Sequence, residues 1–391
     1  LANIILGVTG SIAAYKACDI IRGLSKKGVT STCVLTKEAK EFVTPLTFRT
    51  LSGMPVYDDM FFEAKNYGVK VQHIDLARDC DLILIAPATA NIIGKIASGI
   101  ADDLLTTTVM ASEKKVLIAP AMNKSMWNNA IVQENVSKLK KLGYIFIGPA
   151  KGELACGEYG SGHVEEPEII VEKVISLLKK KSLTNKTFLI TSGPTREPID
   201  DVRFISNPSS GKTGYFLAKE AKERGAKVIF ITGKTSFIPD ADIISHAGSA
   251  DDMLMLVKKY QKKADVIIGA AAVGDFTVEK ASGKIERKGT LRLDLKPTRD
   301  ILAEIGKNKG KKIVVGFSAV YGDGIERAKK KIKDKNLDLI VYNDVSKPDT
   351  GFESDTNEII ILNKKGHPIY EGKGTKEELA GRIIDLIERE F

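Results

Sequence analysis

Short runs of consecutive apolar residues punctuate this chain, separated by longer stretches in which apolar positions recur every three or four residues. Ile4–Val8, Leu82–Ile85, Val116–Ile118 and Tyr144–Ile147 are such runs, and Val29–Leu35 reads as a second strand that ends at Thr36. They are brief and rich in β-branched residues, the pattern of parallel strands buried on both faces. Ile12–Lys27 between the first two of these strands reads as a covering helix. The pattern then starts afresh. Pro167–Lys181 reads as a helix with a strongly basic end, Ser182–Lys186 as a polar connection, and Thr187–Thr191 as a new buried strand. An α/β chain of two domains is predicted, spanning residues 1–180 and 187–391, with residues 181–186 as a linker.

Each start joins a strand to a Gly/Ser/Thr turn, where free backbone N–H groups suit a phosphorylated ligand. The first turn is Gly7-Val8-Thr9-Gly10-Ser11, which departs from G-x-G-x-x-G and leaves a phosphate or flavin site open. Ala86–Asn91 and Ala119–Asn123 repeat the arrangement after later strands, with Thr89, Asn91 and Asn123 as polar edges. Ordinary strand-to-helix caps explain the same residues, and Met122, Met126 and Trp127 suit packing. In the second half, Lys212-Thr213 invites a P-loop reading. Ser206 stands where its first glycine is required, so that reading fails. Ser209–Lys212 still suits phosphate oxygens at the start of a helix carrying Tyr215–Lys222, and Lys331 and Lys335 share one helix face.

Composition narrows the classes. The formal charge of +9 in 391 residues comes from lysines spread among acids, with no Arg-rich tail or aromatic-basic repeat, so no nucleic-acid partner is expected. The four cysteines show no CxxC spacing, which argues against a disulfide framework. No apolar run is long enough to cross a membrane, and the first strand gives way too soon to a polar turn for a signal peptide; a soluble, cytoplasmic protein is expected. His73 has the chemistry for proton transfer near neutral pH, and Cys156, in a polar glycine-rich segment, is a better candidate for reactivity than Cys18 or Cys33. These residues alone leave three readings open: an enzyme, a redox module fused to a nucleotide-binding domain, and a nonenzymatic nucleotide sensor.

Several segments in order carry a more specific signal: GSIAAYK (Gly10–Lys16), APATANIIGKIASGIADDL (Ala86–Leu104), PAMNKSMW (Pro120–Trp127) and GELACGEYGSG (Gly152–Gly162). Together they resemble the flavin-dependent phosphopantothenoylcysteine decarboxylases. The resemblance implies a flavodoxin-like flavoprotein domain that binds FMN, with Gly10, Ser11, Thr36, Ala88, Thr89 and Asn91 as cofactor-binding candidates. It implies His73 as acid/base, Asn123 on the substrate carboxylate, and Cys156 as the proton donor in the final reduction. In the implied reaction the cysteine moiety is oxidised to a thioaldehyde, CO₂ leaves, and the enethiol is reduced by the flavin. Gly162-His163-Val164 departs from the usual GRM-like continuation of this family.

Ile190–Gly214 (ITSGPTREPIDDVRFISNPSSGKTG) and Gly269–Phe276 (GAAAVGDF) resemble a second family, the phosphopantothenate–cysteine ligases. Val314–Val320, Lys331, Lys335 and Asn336–Val345 extend the match. This implies a Rossmann-like ligase domain and, with the first resemblance, a bifunctional enzyme of coenzyme A biosynthesis. 4′-Phosphopantothenate would be activated by CTP with Mg²⁺ as an acyl cytidylate, and cysteine would displace CMP to give phosphopantothenoylcysteine. The resemblance implies Asn207 on the acyl intermediate and Ser210, Gly211, Asp275, Lys284, Phe317, Lys331 and Lys335 on the nucleotide. The KIKK-like loop of the family reads Lys284-Ile285-Glu286-Arg287-Lys288 here, so only its first lysine is kept in register. The ligands of that Mg²⁺ are left open, and a homo-oligomer, up to a dodecamer, is expected.

Overall fold

The computed structural model of the chain describes residues 2–60, 72–153, 159–287, 289–320, 324–344 and 354–391. The chain divides into two compact units, Leu1–Lys179 and Lys180–Phe391.

In the first unit, β1 (Asn3–Val8), β2 (Thr30–Leu35), β3 (Val56–Tyr57), β4 (Leu82–Ala88), β5 (Val116–Pro120) and β6 (Ile145–Phe146) make a six-stranded sheet in the order β3-β2-β1-β4-β5-β6. All its pairings are parallel. Alternate residues feed opposite cores, as a period of two demands. Ile4, Leu6 and Val8 pack with Ile20, Ile21 and Leu24 of the Lys16–Lys26 helix and Ile170 of the Pro167–Leu178 helix. Ile5 packs on the other face with Ile83, Ile85, Ile92 and Leu105. Each such fully buried aliphatic side chain contributes about 1.5–3 kcal/mol, which is why these runs hold the sheet centre. The helix expected over residues 12–27 begins instead as a 3₁₀ turn, Ile12–Tyr15. Ser11 Oγ accepts from Ala13 N, only two residues on, and closes that tighter turn.

An antiparallel hairpin of β7 (Ala150–Glu153) and β8 (Tyr159–His163) follows. The second unit holds an eight-stranded sheet built from β9 (Thr187–Ser192), β12 (Lys227–Thr232), β13 (Ile243–His246), β14 (Val266–Gly269), β17 (Ile313–Val320), β18 (Leu339–Asp344), β19 (Thr356–Asn363) and β20 (Pro368–Thr375). Its order is β13-β12-β9-β14-β17-β18-β19-β20. Two small antiparallel ladders, β10 (Arg196–Pro198) with β11 (Phe204–Ser206) and β15 (Phe276–Thr277) with β16 (Lys296–Pro297), lie outside it. The last two pairings of the large sheet are antiparallel. Helices Lys212–Glu223 and Lys376–Glu388 cover one face through Leu217, Ala218, Leu379 and Ile383. Helices Ala250–Tyr260, Ile301–Lys307 and Ile325–Lys335 cover the other through Met253, Val257, Ile305 and Ile332.

The stretch expected as a linker, residues 181–186, packs within the second unit. Leu183 is buried in its core, Leu183 N donates to Arg224 O, and Lys227 N donates to Lys186 O. One apolar residue in a polar run suffices to dock it. Among the described residues, no helix is long and apolar enough to cross a membrane.

Candidate functional sites

Both sheets reverse direction at an equivalent place. In the first, the chain runs from β1 outward to β2 and β3, then returns to place β4 on the other side of β1. In the second, β9 leads to β12 and β13 before β14 returns to its other flank. The loops leaving two adjacent strands then diverge and open a crevice at the carboxyl edge, where ligands of such sheets bind.

In the first unit that crevice is bordered by Thr9–Ser11 after β1 and Thr89 after β4. Thr9, buried, ties the borders together: its hydroxyl donates to Pro87 O at 2.7 Å and accepts from Thr89 N at 3.1 Å. Thr89 caps the Ala90–Ser98 helix through Ile92 N. Thr36, at the end of β2, is buried, with its Oγ1 accepting from Ala39 N. Gly10 is close-packed, since a Cβ there would come within 2.4 Å of Glu38 Cβ. Ala88 is wholly buried and Asn91 exposed.

Asn123 follows β5. Its Oδ1 accepts from Ser125 N at 2.7 Å and caps the short Lys124–Trp127 helix. The β7–β8 hairpin is fastened beside it, because Met122 N donates to Gly162 O at 3.0 Å. A Cβ at Gly162 would come within 2.2 Å of Met122 O, so the chains approach too closely there for any other residue. Cys156 lies outside the described residues, in the stretch between the paired Glu153 and Tyr159. His163 ends β8 half-buried, and Val164 is buried among the core aliphatics, so the departure from the family pattern at Val164 fills core space.

His73, half-buried, is the second residue of the Gln72–Asp79 helix that leads into β4. Beside it, both polar atoms of the buried Gln72 carboxamide lack a hydrogen-bond partner among the described residues. A buried amide in that state calls for a ligand or surface offering a donor and an acceptor. The strand-end hydroxyls Thr9, Thr36 and Thr89 and the small residues of 86–90 fit a phosphorylated flavin, which needs polar groups at its edge and close approach along its flat face.

The second unit holds a cavity of about 490 Å³ at the carboxyl edge of its sheet, lined by Asn207, the Ser209–Thr213 turn, Ala270–Asp275, Thr298–Ile301, Phe317, Lys331 and Lys335. Asn207 Nδ2 donates to Val273 O at 2.9 Å, joining the turn after β11 to the loop after β14. Lys331 Nζ donates to Ser318 Oγ at 3.0 Å, and Lys335 pairs with Asp300 at 2.7 Å. Burial, then the charge of Lys335, pushes the Lys331 ammonium below the usual lysine range, against the opposing pull of Asp275 and Asp300. Such a lysine gains from an added anion. Gly211 has φ +78°, and a Cβ there would meet Thr235 Oγ1 at 2.8 Å, so glycine is required on two grounds. It leaves the Lys212–Glu223 helix without a side-chain cap.

The cavity thus gathers Asn207, Ser210, Gly211, Asp275, Phe317, Lys331 and Lys335 as the sequence suggested. Lys284 is not among its lining. It is exposed on a loop bound elsewhere: Ile285 N donates to Asp200 Oδ2 at 3.1 Å and Arg203 donates to Ile285 O at 3.0 Å. Glu286 and Arg287 are exposed beside it, and Lys288 lies outside the described residues. Sequence reading overlooked Thr9, whose two bonds span 78 and 80 residues, and Lys376, which also lines the cavity.

The two units correspond to two known families. Residues 2–179 match the family described as Flavoprotein, and residues 183–391 match the DNA/pantothenate metabolism flavoprotein C-terminal domain. A coenzyme A biosynthesis bifunctional protein CoaBC from Bacillus subtilis (strain 168) is 46% identical over 372 residues, covering 93% of this chain and 91% of that protein. The chain belongs to the CoaBC family. A second member, from Vibrio vulnificus (strain YJ016), is 39% identical with 98% of each chain covered. Among solved structures, the C-terminal domain of a CoaBC protein is similar at 37% identity, covering 54% of this chain and 97% of that one, with a TM-score of 0.45. The FMN binding protein AtHal3 is similar at 34% identity, covering 44% and 95%, with a TM-score of 0.40. As a CoaBC protein, this chain is a bifunctional enzyme that performs two steps of coenzyme A biosynthesis, ligation and then flavin-dependent decarboxylation.

Proposed function

We propose that the second unit activates the carboxylate of 4′-phosphopantothenate with CTP and passes the acyl cytidylate to cysteine, and that the first unit decarboxylates the resulting phosphopantothenoylcysteine. The observation that carries the ligase half is the single cavity holding Asn207, Asp275, Phe317, Lys331 and Lys335 together. Lys331 and Lys335, one turn apart, would face the nucleotide phosphates, with Phe317 against the nucleoside and Asp275 accepting from its hydroxyl or amino groups. Asn207 is held by Val273 O and would keep the acyl group in line for attack.

Among the described residues, no three His, Cys, Asp or Glu side chains gather into a metal-binding group. The expected Mg²⁺ would screen the triphosphate and orient its leaving group. Lys284 is exposed and apart from the cavity of its own chain, and would serve the cavity of a second copy in a homo-oligomer. A cytoplasmic location accords with this reading.

In the first unit, FMN bound at the β1/β4 crevice supplies reversible two-electron chemistry. Thr9, Ser11, Thr36 and Thr89 would hold and shape that crevice, with Gly10, Ala88 and Asn91 completing its border. Asn123 would orient the substrate carboxylate through its amide N–H₂, since its oxygen is used by the helix cap. His73 would move a proton near neutral pH, and Cys156 would donate the proton that completes reduction.

The ligase assignment is tested by pyrophosphate release. CTP with 4′-phosphopantothenate, before cysteine is added, should yield pyrophosphate and a hydroxylamine-trappable acyl cytidylate, at a rate at least ten times that with ATP. Equal rates, or pyrophosphate formed without the acid, would contradict it.

A further inference from the structure

The β10–β11 hairpin does more than lead the chain to Asn207. Its root is fixed twice: Arg196 N donates to Gly248 O at 2.8 Å, and the buried Glu197 accepts from Ala250 N at 2.8 Å. Ser206 Oγ closes the open end by donating to Thr195 O at 2.7 Å, next to Asn207. At the other end Ile199–Arg203 forms the tip, where Ile199 N donates to Arg203 O at 2.8 Å.

That tip holds the loop that carries Lys284. Ala281 N donates to Ile199 O at 2.9 Å, Gly283 N to Asp201 Oδ2 at 2.9 Å and Ile285 N to Asp200 Oδ2 at 3.1 Å. Arg203 donates to Ile285 O at 3.0 Å, and Lys280 pairs with Asp201 at 2.6 Å. Lys284 therefore stands exposed between two residues whose backbone N–H groups are tied to adjacent carboxylates.

Asp200 differs from its neighbours. Its side chain is wholly buried, whereas Asp201 and Val202 are exposed. A buried carboxylate is tolerated only when its oxygens are satisfied. Oδ1 accepts from Val202 N at 2.8 Å and Arg203 N at 2.6 Å, which closes the tip as a local Asx turn. Oδ2 accepts from Ile285 N, 85 residues further along the chain, with the Arg203 guanidinium 3.4 Å away. Burial opposes the charge, but these N–H donors and the Arg203 charge outweigh it and hold the carboxyl below the usual aspartate range. One oxygen shapes the hairpin and the other holds the loop. Asparagine could supply the first oxygen, but its amide nitrogen would face the Ile285 N–H as donor against donor.

Resting on the ligase reading above, in which Lys284 serves a nucleotide bound by a second copy, we infer that Asp200 is a positioning residue for ligation. Through Oδ2 it fixes the 281–286 loop on the hairpin and so sets where Lys284 is presented. One firmly rooted hairpin thus places a ligase residue at each end: Asn207 in its own cavity, and Lys284 away from it.

The test is a double-variant cycle in the full-length enzyme, comparing Asp200→Asn, Lys284→Met and the two together. Ligation is followed by pyrophosphate release with CTP, 4′-phosphopantothenate and cysteine, and a melting curve reports on folding. Lys284→Met should lower kcat/KM for CTP by about tenfold or more, as loss of one charge-assisted contact implies. Asp200→Asn should lower it by a similar factor, since a displaced charge no longer meets the nucleotide. The paired variant should stay within about twofold of Lys284→Met alone, because both losses act through one group. An aspartate with only a structural role would instead multiply the two losses. If Asp200→Asn does not fold, Asp201→Ala takes its place in the cycle, because it removes the tie to Gly283 N from an exposed position. It should lose about threefold, again without adding to Lys284→Met. Normal ligation by the folded aspartate variant, or losses that multiply in the pair, would overturn the inference. Lys284→Met that ligates as well as wild type would instead overturn the reading of Lys284 on which it rests.

Discussion

Asn123→Asp is expected to fold as well as the wild type, retain FMN, and lose decarboxylation of supplied phosphopantothenoylcysteine by about a hundredfold or more. The substitution separates two roles of one side chain. The cap on the Lys124–Trp127 helix uses only Oδ1, accepting from Ser125 N, and aspartate supplies that oxygen equally well. The amide nitrogen becomes a second carboxylate oxygen, which would repel the carboxylate it should hold. Asn123→Ala is the weaker experiment, since it also removes the cap at a cost of about 0.5–2 kcal/mol. The readout is CO₂ release with a melting temperature close to wild type, and near-normal CO₂ release would end the assignment. Ligation, performed by the other unit, should be unaffected.

Asn207→Ala should produce the converse pattern, with ligation down by about 10²–10³-fold and decarboxylation of supplied phosphopantothenoylcysteine intact. Two losses combine. The alanine cannot donate to Val273 O, so the loop carrying Asp275 loses its tie to the turn after β11. It also cannot contact the reacting acyl group. Pyrophosphate release and phosphopantothenoylcysteine formation are the measurements. A parallel fall in decarboxylation would show a folding defect reaching both units and would count against the role, as would unchanged ligation.

The consecutive apolar residues of Ile4–Val8 and the fresh start at Thr187 made both sheets legible, because buried parallel strands write their burial as such runs. Polar and exposed positions were harder to read. β20 alternates half-buried and exposed residues, and its antiparallel pairing with β19 depends on a partner strand rather than on any buried run. Leu183 was submerged in a polar stretch whose composition suggested a linker. At the candidate sites, residues within one turn, such as Ser209–Lys212 or Lys331 and Lys335, were found from spacing. Thr9 with Thr89 and Lys212 with Lys376 meet only after folding, so no spacing announces them. Lys284 shows the reverse: it sits in a matching segment, yet its loop is bound to Asp200 and Arg203, apart from the cavity lining.

The central claim is that one chain carries out both reactions in succession. Full-length, FMN-loaded protein supplied with 4′-phosphopantothenate, CTP, Mg²⁺ and carboxyl-¹³C-cysteine tests it in one vessel. The account predicts pyrophosphate, CMP and ¹³CO₂ in equal amounts, with 4′-phosphopantetheine as the accumulating product. Folded, FMN-loaded protein that releases pyrophosphate without ¹³CO₂, or leaves CTP unconsumed, would contradict it.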